Sequence, residues 1–229
     1  PPPPTPPPPP PHTPTIRSSS AASDVYKRQL KRCRKVVDRL ARKIDEFETL
    51  LTENEIFISR SRGIGAMTWQ EMASYGVTGP MLRSAGLAYD IRKVEPYSIY
   101  DSFDFDVPTY ETGDLWDRYR QRIAEARESV KILHQALDRI PANGSIQAGK
   151  KTWNPRVPAG ELYTRVEHPK GELGFYLVSD GGTNPYRYHV RSSCFANLGA
   201  LEAMSVGHLL ADAIVIFGTI DTTMGEVDR

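Results

Sequence analysis

The sequence predicts an α+β fold: a mainly helical body with a long central helix and a small antiparallel β-sheet in the C-terminal third. Two patterns of apolar spacing support this prediction. Through residues 30–51 and 114–140 apolar residues recur every three or four positions, as on one face of an α-helix. Across residues 160–192 the spacing becomes two, which is typical of β-strands. Residues 30–229 then divide into three parts: a helical part (residues 30–141), the sheet (residues 160–192), and C-terminal helices with a tail (residues 196–229).

Residues 1–29 differ in composition from the rest of the chain. They hold 11 of the 19 prolines, ten of them in a run over residues 1–11 that only Thr5 interrupts. Such a run cannot build a core. Residues 19–29 match the in-frame translation of a transposase adapter used in sequencing libraries, so we interpret residues 1–29 as a disordered assembly artefact. The alternative is a natural disordered arm.

The charge balance gives no indication of a nucleic-acid partner. The formal net charge is +1, and removing the three cations and one Asp of residues 1–29 leaves 26 basic and 27 acidic side chains, a net charge of −1. A basic stretch at residues 31–43 could form a nucleic-acid-binding helix, but the second half of the same helix is acidic. The longest apolar stretch, residues 209–217, is far shorter than the roughly 20 residues of a membrane-spanning helix.

The helical part begins with an amphipathic helix. Its apolar stripe consists of Val37, Leu40, Ile44, Phe47 and Leu51. Basic residues crowd its N-terminal end and oppose the helix dipole there, so we expect the true helix to begin earlier, in sequence that this chain lacks. Glycines divide residues 54–112 into short pieces, with brief helices predicted at residues 68–75 and 80–85.

The most regular element is a helix over residues 114–140. Asp114 can cap its first turn, and Pro141 with the following Asn143-Gly144 ends it. After it we predict strands at residues 161–167, 172–179 and 186–191, the first two joined by a four-residue loop at 168–171. Helices follow at residues 198–203 and 206–217, before the tail at 221–229.

Generic catalytic motifs are absent from the sequence. The five histidines lack the spacing of metal ligands, and the two cysteines are too few for a disulfide framework or an all-cysteine metal site. Gly63-Ile64-Gly65 lacks the third glycine and the preceding strand of a dinucleotide-binding loop, so we interpret it as a turn.

Two groups of segments point to a protein family more specifically than the generic motifs do. They are residues 82–97 with 104–108 and 113–114, and residues 127–132 with 170–174 and 179–181. In these segments, and continuously from Leu30 to Arg229, the chain resembles the C-terminal portion of the 49-kDa-type quinone-site subunit of respiratory NADH:quinone oxidoreductase (complex I). That family is related to the large subunit of nickel–iron hydrogenases.

The resemblance gives the C-terminal tail a specific interpretation. The hydrogenase tail reads Asp-Pro-Cys-x-x-Cys-x-x-His and binds nickel and iron through its cysteines. Here Asp221 matches the Asp, Thr223 and Glu226 replace the cysteines, and Arg229 replaces the His. Because no thiolate remains and a guanidinium does not ligate metals, the resemblance implies no metal site. It implies one end of a quinone cavity, facing the terminal iron–sulfur cluster of a neighbouring subunit.

Asp221 and Arg229 are therefore the candidate catalytic residues, and we expect them to lie close together. The wider quinone-site and proton-network candidates are Asp221, Thr223, Glu226, Asp228 and Arg229. Four ionisable groups within nine residues, if buried, can relay protons or orient a quinone. The alternative is a solvated, frayed C-terminus. Family members commonly carry an apolar residue at the position of Thr223.

A second set of charges forms a candidate structural network. It consists of Arg83, Asp90, Arg92 and Lys93. Their charges alternate in a segment too irregular for a solvated helix face, so we expect at least one substantially buried Arg–Asp pair beneath the quinone site.

The resemblance implies a subunit of a proton-translocating enzyme that passes electrons from NADH, through FMN and iron–sulfur clusters in other subunits, to quinone. It implies that this chain binds no cofactor itself. The expected partners are the small cluster-bearing subunit and the membrane-arm quinone-site subunit, at the cytoplasmic side of the bacterial inner membrane. The family's N-terminal half carries the His and Tyr that bind the quinone head group, so we expect this fragment to be inactive alone. The alternative function is a scaffold subunit of a related membrane-bound hydrogenase or ferredoxin–quinone complex without NADH.

Overall fold

The computed structural model describes residues 20–141, 154 and 156–228, with side chains from residue 28 onward. The helices are α1 (Ser20–Leu51), α2 (Glu55–Ser59), α3 (Trp69–Ser74), α4 (Pro80–Ser84), α5 (Ile91–Val94), α6 (Leu115–Arg139), α7 (Ser193–Leu198), α8 (Leu201–Ser205), α9 (Leu210–Ile220) and α10 (Met224–Val227). A 3₁₀ turn at Tyr100–Ser102 precedes α6. The strands are β1 (Gly160–His168), β2 (Gly171–Ser179) and β3 (Arg187–Arg191).

The predicted α+β class is confirmed. The long helix α6 lies where the sequence places it, and the Asp114 side chain accepts a hydrogen bond from the backbone N–H of Asp117 at 2.8 Å, as the expected cap. Two backbone carbonyls, those of Gly65 and Gly113, accept bonds from the fully buried Arg118 of α6. The Gly63-Ile64-Gly65 segment is thus a turn around the beginning of α6.

The three strands form one antiparallel sheet in the order β1-β2-β3. The predicted four-residue hairpin loop is too long, because His168 pairs with Gly171 and only Pro169 and Lys170 remain in the turn. Gly171 has a φ of 137°, which favours glycine and lets the ladder continue to this last pair.

The first helix begins earlier in the structure than the sequence predicts. Helix α1 begins at Ser20, so residues 20–29 are helical rather than disordered. They contain neither Gly nor Pro, and extending an existing helix costs little. Residues 1–19 lie outside the described part of the chain, and the adapter origin of residues 1–29 stays a prediction.

The predicted C-terminal helices are also misplaced. Helix α7 begins at Ser193, where the Ser192 hydroxyl accepts a hydrogen bond from the Phe195 N–H at 3.2 Å. Gly207, with a φ of 86°, separates α8 from α9. The tail contains one further helical turn, α10.

The main core lies between the short helices, the beginning of α6, and α8 with α9. Its buried members are Met67, Met72, Val77, Met81, Leu82, Ala85, Leu115, Ala200, Met204, Ile216 and Ile220. A smaller cluster of Val37, Ile44 and Val130 joins α1 to α6. Leu40 and Phe47, which the sequence places on the same stripe of α1, are 43% and 55% exposed, so only part of that stripe is buried.

The β-hairpin docks onto the helical body at its turn. The Thr78 N–H donates to Asn197 Oδ1 at 3.1 Å, and Asn197 Nδ2 donates to the Lys170 carbonyl at 2.9 Å. The backbones come close enough here that a Cβ on Gly79 would lie 2.5 Å from the Cα of Gly171. This contact fixes the position of Lys170 relative to α7.

Substitution of Gly79 should therefore destabilise the fold by more than backbone strain alone. Gly79→Ala combines a φ of 75° with a backbone clash, and we expect it to lower the free energy of unfolding by about 3 kcal/mol. Gly207→Ala is the matched control, because its φ is 86° but no atom lies within 4 Å of the added Cβ; we expect about 1–2 kcal/mol. Urea unfolding of the two variants measures the difference, and equal losses would refute the close docking.

Candidate functional site

The tail turns sharply at the end of α9. Asp221 adopts the left-handed conformation, with φ of 60° and ψ of 49°. The guanidinium of Arg122, on α6, donates from Nη2 to the Thr219 carbonyl at 2.5 Å. A cation at the C-terminal end of a helix satisfies free carbonyls and interacts favourably with the helix dipole. Arg122 thus supports the turn from which the tail starts.

Glu226 anchors the tail to the beginning of α7. Its Oε1 accepts hydrogen bonds from the backbone N–H groups of Ser193 at 2.9 Å and Cys194 at 3.1 Å. The same oxygen accepts from the hydroxyl of Ser193 at 2.8 Å and that of Ser192 at 3.1 Å. The Cys194 thiol donates to Oε2 at 2.9 Å. An anion here satisfies amides that a helix leaves free at its N-terminus.

This environment changes the ionisation of both side chains. Burial would raise the pKa of Glu226, but the hydrogen bonds from Cys194, Ser193 and Ser192 outweigh it and lower the pKa to about 2. Burial, followed by the adjacent Glu226 carboxylate, raises the pKa of the Cys194 thiol. At physiological pH Glu226 is therefore a fixed anion and Cys194 stays protonated.

Lys170 from the hairpin turn contacts the other side of the tail. Its Nζ lies 3.5 Å from Asp221 Oδ1 and donates to the Thr223 hydroxyl. The Thr223 N–H points at Cys194 Sγ, 3.4 Å away. His168 Nδ1, at the end of β1, lies 3.9 Å from Glu226 Oε2. The tail is thus held between the hairpin and α7.

The structure separates the predicted tail residues into two kinds. Glu226 has a side chain that is 13% exposed, whereas the Asp221 side chain is 56% exposed. Asp228 is exposed at the end of α10. Arg229 lies outside the described residues, so its expected proximity to Asp221 stays a prediction. Within the described tail, Asp221, Thr223 and Glu226 surround Cys194.

The candidate structural network of Arg83, Asp90, Arg92 and Lys93 is part of a larger ion-pair network than the sequence predicts. Arg83 is 2% exposed and donates to Glu125 at 2.6 Å and to Glu167 at 2.8 Å. Burial would lower the pKa of Arg83, but the two carboxylates raise it above its ordinary value. Burial raises the pKa of Glu167 in spite of this pairing. The network ties α4 to α6 and to the sheet.

The expected Arg–Asp pair is present beside it. Arg92 donates to both carboxylate oxygens of Asp90, at 3.0 and 2.6 Å, and Asp90 is 2% exposed. Burial would raise the pKa of Asp90, but the bonds from Arg92 lower it. Lys93 makes no such pair within the described residues, and its Nζ lies 4.1 Å from the centre of the Phe105 ring. Whether this pair lies beneath a quinone site stays a prediction.

Several residues of the site were not predicted from the sequence to be functional residues. They are Arg122, His168, Lys170, Ser192, Ser193, Cys194 and Asn197. Ser192-Ser193 before an apolar segment is a helix N-cap signal that predicts the beginning of α7. The sequence carried no signal for the long-range contacts of Arg122 and Cys194.

Metal-binding clusters and membrane-spanning helices are both absent from the described residues. In residues 20–141, 154 and 156–228, no three His, Cys, Asp or Glu side chains are arranged to hold a metal ion. None of the helices in the same ranges has the length and apolar character required to span a membrane.

Comparison with known proteins identifies the family. The sequence matches the family described as "Respiratory-chain NADH dehydrogenase, 49 Kd subunit" over residues 12–156 and 147–229. The chain is 51% identical over 198 residues to the second D-type subunit of NADH-quinone oxidoreductase from Herpetosiphon aurantiacus, covering 86% of this chain and 54% of that protein. It is 50% identical over 196 residues to the D-type subunit from Dehalococcoides mccartyi, covering 86% and 53%.

The chain therefore belongs to the 49 Kd subunit family of respiratory-chain NADH dehydrogenase. More particularly, it is similar to the C-terminal portion of the D-type subunits of NADH-quinone oxidoreductase. It spans about half the length of these relatives.

The Glu226 anchor should make stability depend on pH. Because folding lowers its pKa from 4.5 to about 2, Glu226 contributes stability that is fully present above pH 5 and is lost as the pH falls toward 2. Glu226→Gln should remove most of that contribution at pH 7 and flatten the acid limb of the stability curve. Urea unfolding between pH 3 and pH 7 tests this, with exposed Glu202→Gln as control. Parallel curves for Glu226→Gln and wild type would contradict the anchor.

Removal of Arg83 should destabilise the protein strongly. Arg83→Met leaves Glu125 and Glu167 without their cation, and breaking a buried pair in this way costs about 3–5 kcal/mol. Arg34→Met removes an exposed pair with Asp138, and we expect about 0–1 kcal/mol. Urea unfolding midpoints compare the two, and a loss under about 1 kcal/mol for Arg83→Met would show that the network is dispensable.

Proposed function

We propose that this chain forms part of the quinone-reduction site of a proton-translocating NADH:quinone oxidoreductase, with the tail as one wall of that site. Its relatives are named as subunits of NADH-quinone oxidoreductase, which supports the assignment to complex I. In the proposal, electrons pass from NADH through FMN and iron–sulfur clusters in other subunits to quinone. We propose that the 229-residue chain alone is inactive, because it spans about half the length of the relatives that form such a complex.

The observation that carries this proposal is the anchoring of Glu226 at α7. By resemblance, Glu226 stands where a hydrogenase has its second cysteine ligand, and here its carboxylate is occupied by amide, hydroxyl and thiol donors. Hydrogen bonds to the Glu226 carboxylate therefore hold the tail here, whereas metal–thiolate bonds hold it in a hydrogenase. We propose that the quinone takes the place that the metal centre has in a hydrogenase.

The contacts divide the proposed proton network into anchoring and proton-carrying groups. Glu226, with a pKa of about 2, is too weak a base to carry protons near neutral pH. Asp221 and Asp228 are exposed and lie on the same tail, so we assign proton delivery to them. Lys170 orients Asp221 at 3.5 Å, and the Thr223 hydroxyl contacts the same Nζ.

We propose that the chain itself binds no cofactor. The tail offers hydroxyl, carboxylate and guanidinium groups, which do not suit a nickel–iron centre held by thiolates. Cys194 is a thiol near the tail, but it is fully buried and already bonded to Glu226. Arg229, outside the described residues, would place a permanent positive charge near the electron acceptor.

The proposed partners follow from the same assignment. They are the small subunit that carries the terminal cluster and the membrane-arm subunit that completes the quinone site. We place the assembly at the cytoplasmic side of the bacterial inner membrane, with this chain as a peripheral component.

Substitution of Asp221 in an assembled complex tests the proposal. Residues 30–229 would replace the matching portion of the 49-kDa-type subunit in a bacterial complex I, with Asp221→Asn introduced. Asn tolerates the left-handed backbone, so the turn should persist. We expect NADH:quinone activity to fall about a hundredfold, since general acid–base catalysis contributes on that scale. NADH oxidation by an artificial acceptor should be unchanged.

The control in the same complex is Asp106→Asn, which alters a side chain that is 86% exposed and remote in sequence from the tail. It should leave both activities unchanged. Equal NADH:quinone activity in the Asp221→Asn and wild-type complexes would contradict the assigned role. Loss of both activities together would indicate failed assembly, which immunoblotting of the purified complex detects.

A further inference from the structure

A cavity of about 210 Å³ lies between α1, α6 and the loop that precedes α6. Its apolar lining comes from α6, where Ile123 and Ala124 are half-buried. Two phenol rings, those of Tyr110 and Tyr119, line it as well. Apolar and aromatic walls with a few polar groups are typical of sites for small organic molecules. None of the residues that line the cavity belongs to the tail.

The Tyr119 side chain is held in place from two directions. The Phe57 ring lies edge-on to it, with the ring centres 5.0 Å apart and an angle of 79° between the planes. The Tyr119 hydroxyl lies 3.0 Å from the Thr52 hydroxyl, which also lines the cavity. One of these hydroxyls donates to the other, so the hydrogen of the accepting hydroxyl can bond to a ligand. This donor is preorganised, which lowers the cost of binding.

Two exposed guanidinium groups line the cavity, and they differ in their partners. Arg127 donates to Asp45 at 2.8 Å and also to Glu48, so two carboxylates balance its charge. Arg120 makes no ion pair within the described part of the chain, and its guanidinium carbon lies 4.4 Å from the centre of the Tyr110 ring. The part of the cavity beside Tyr110 therefore has an unbalanced positive charge, which favours an anion.

We propose that this cavity binds a small aromatic carboxylate of the size of benzoate, with its ring against the phenol groups and its carboxylate against Arg120. The volume equals that of about seven water molecules at about 30 Å³ each, which admits a single ring but not a drug-sized ligand. The ring suits the aromatic and apolar lining, and the carboxylate suits the guanidinium and the hydroxyl donor. An inorganic anion would leave the apolar lining uncovered, and an uncharged ring would leave Arg120 without a counter-ion.

An NMR titration of the isotope-labelled 229-residue chain tests the proposal, with benzoate as the probe. We expect saturable shifts at the amides of Thr52, Tyr110 and Ala124, with a dissociation constant of about 1 mM, as a ligand of so few atoms allows. The amides of Cys194 and Glu226 should not shift. Acetate has the charge without the ring, and benzamide has the ring without the charge, so each should bind at least about tenfold more weakly.

Substitutions separate the charge from the space. Arg120→Gln should raise the dissociation constant of benzoate at least about tenfold, because it removes the cation. Arg62→Gln is the matched control and should leave it unchanged, because Arg62 is another exposed guanidinium, 5.3 Å from the centre of the Trp116 ring, that does not line the cavity. Ala124→Leu fills the cavity without removing a polar group and should abolish binding. Because the two arginines are exposed, we expect their variants to keep the wild-type melting temperature in circular dichroism.

Several results would overturn the proposal. Equal affinity of the Arg120→Gln and wild-type chains for benzoate would show that the guanidinium does not bind the carboxylate. Benzamide that binds as tightly as benzoate would indicate an apolar cavity without selection for charge, and acetate that binds as tightly would indicate a simple anion site. Shifts confined to the tail, or the absence of saturable shifts, would show that the cavity does not take this class of ligand.

Discussion

The free backbone donors at the beginning of α7 constrain the C-terminal half of this protein. Helix termini leave amides without internal partners, and such groups must be satisfied when they are buried. Glu226 provides the acceptor for Ser193 and Cys194, from a position 33 and 32 residues further along the chain. At the other end of the same helix, Asn197 binds Thr78 and the Lys170 carbonyl. Helix α7 therefore joins the tail, the hairpin and the helical body.

Side-chain contacts hold the tail between α7 and the hairpin. In the resemblance to nickel–iron hydrogenases, the residues at the two cysteine positions are Thr223 and Glu226. The Glu226 carboxylate binds α7 and the Thr223 hydroxyl accepts from Lys170, so both positions contribute to holding the tail. The Asp221 side chain stays 56% exposed on the tail, with its Oδ1 at 3.5 Å from Lys170 Nζ.

Elements with strong local signals could be predicted from the sequence. Helix α6 and the three strands have clear apolar periods and defined ends, and they lie within a residue or two of their predicted positions. Helices α7 to α9 were harder to predict. Helices α7 and α8 are too short to show an apolar period, and α9 is apolar on all sides, so it shows no alternation of apolar and polar residues. Their boundaries depend on Ser192 and on Gly207.

The candidate site shows the same division between local and distant contacts. The Asp90–Arg92 pair spans two positions and could be expected from charge alternation. The partners of Arg83 lie 42 and 84 residues away, and the donors to Glu226 lie 32 to 34 residues away. A single sequence contains no signal for these pairings. The resemblance could identify the tail as a candidate site. That Glu226 anchors the tail to α7 could be seen only in the structure.

The most direct test of the central claim is an NMR titration of the Glu226 side-chain carboxyl carbon in the 229-residue chain. If Glu226 is the ionised anchor of α7, its resonance should titrate with a pKa of about 2, and the amides of Ser193 and Cys194 should shift with the same midpoint. A midpoint of about 4.5, the ordinary value for glutamate, together with amides that do not respond, would show that the tail is not held in this way.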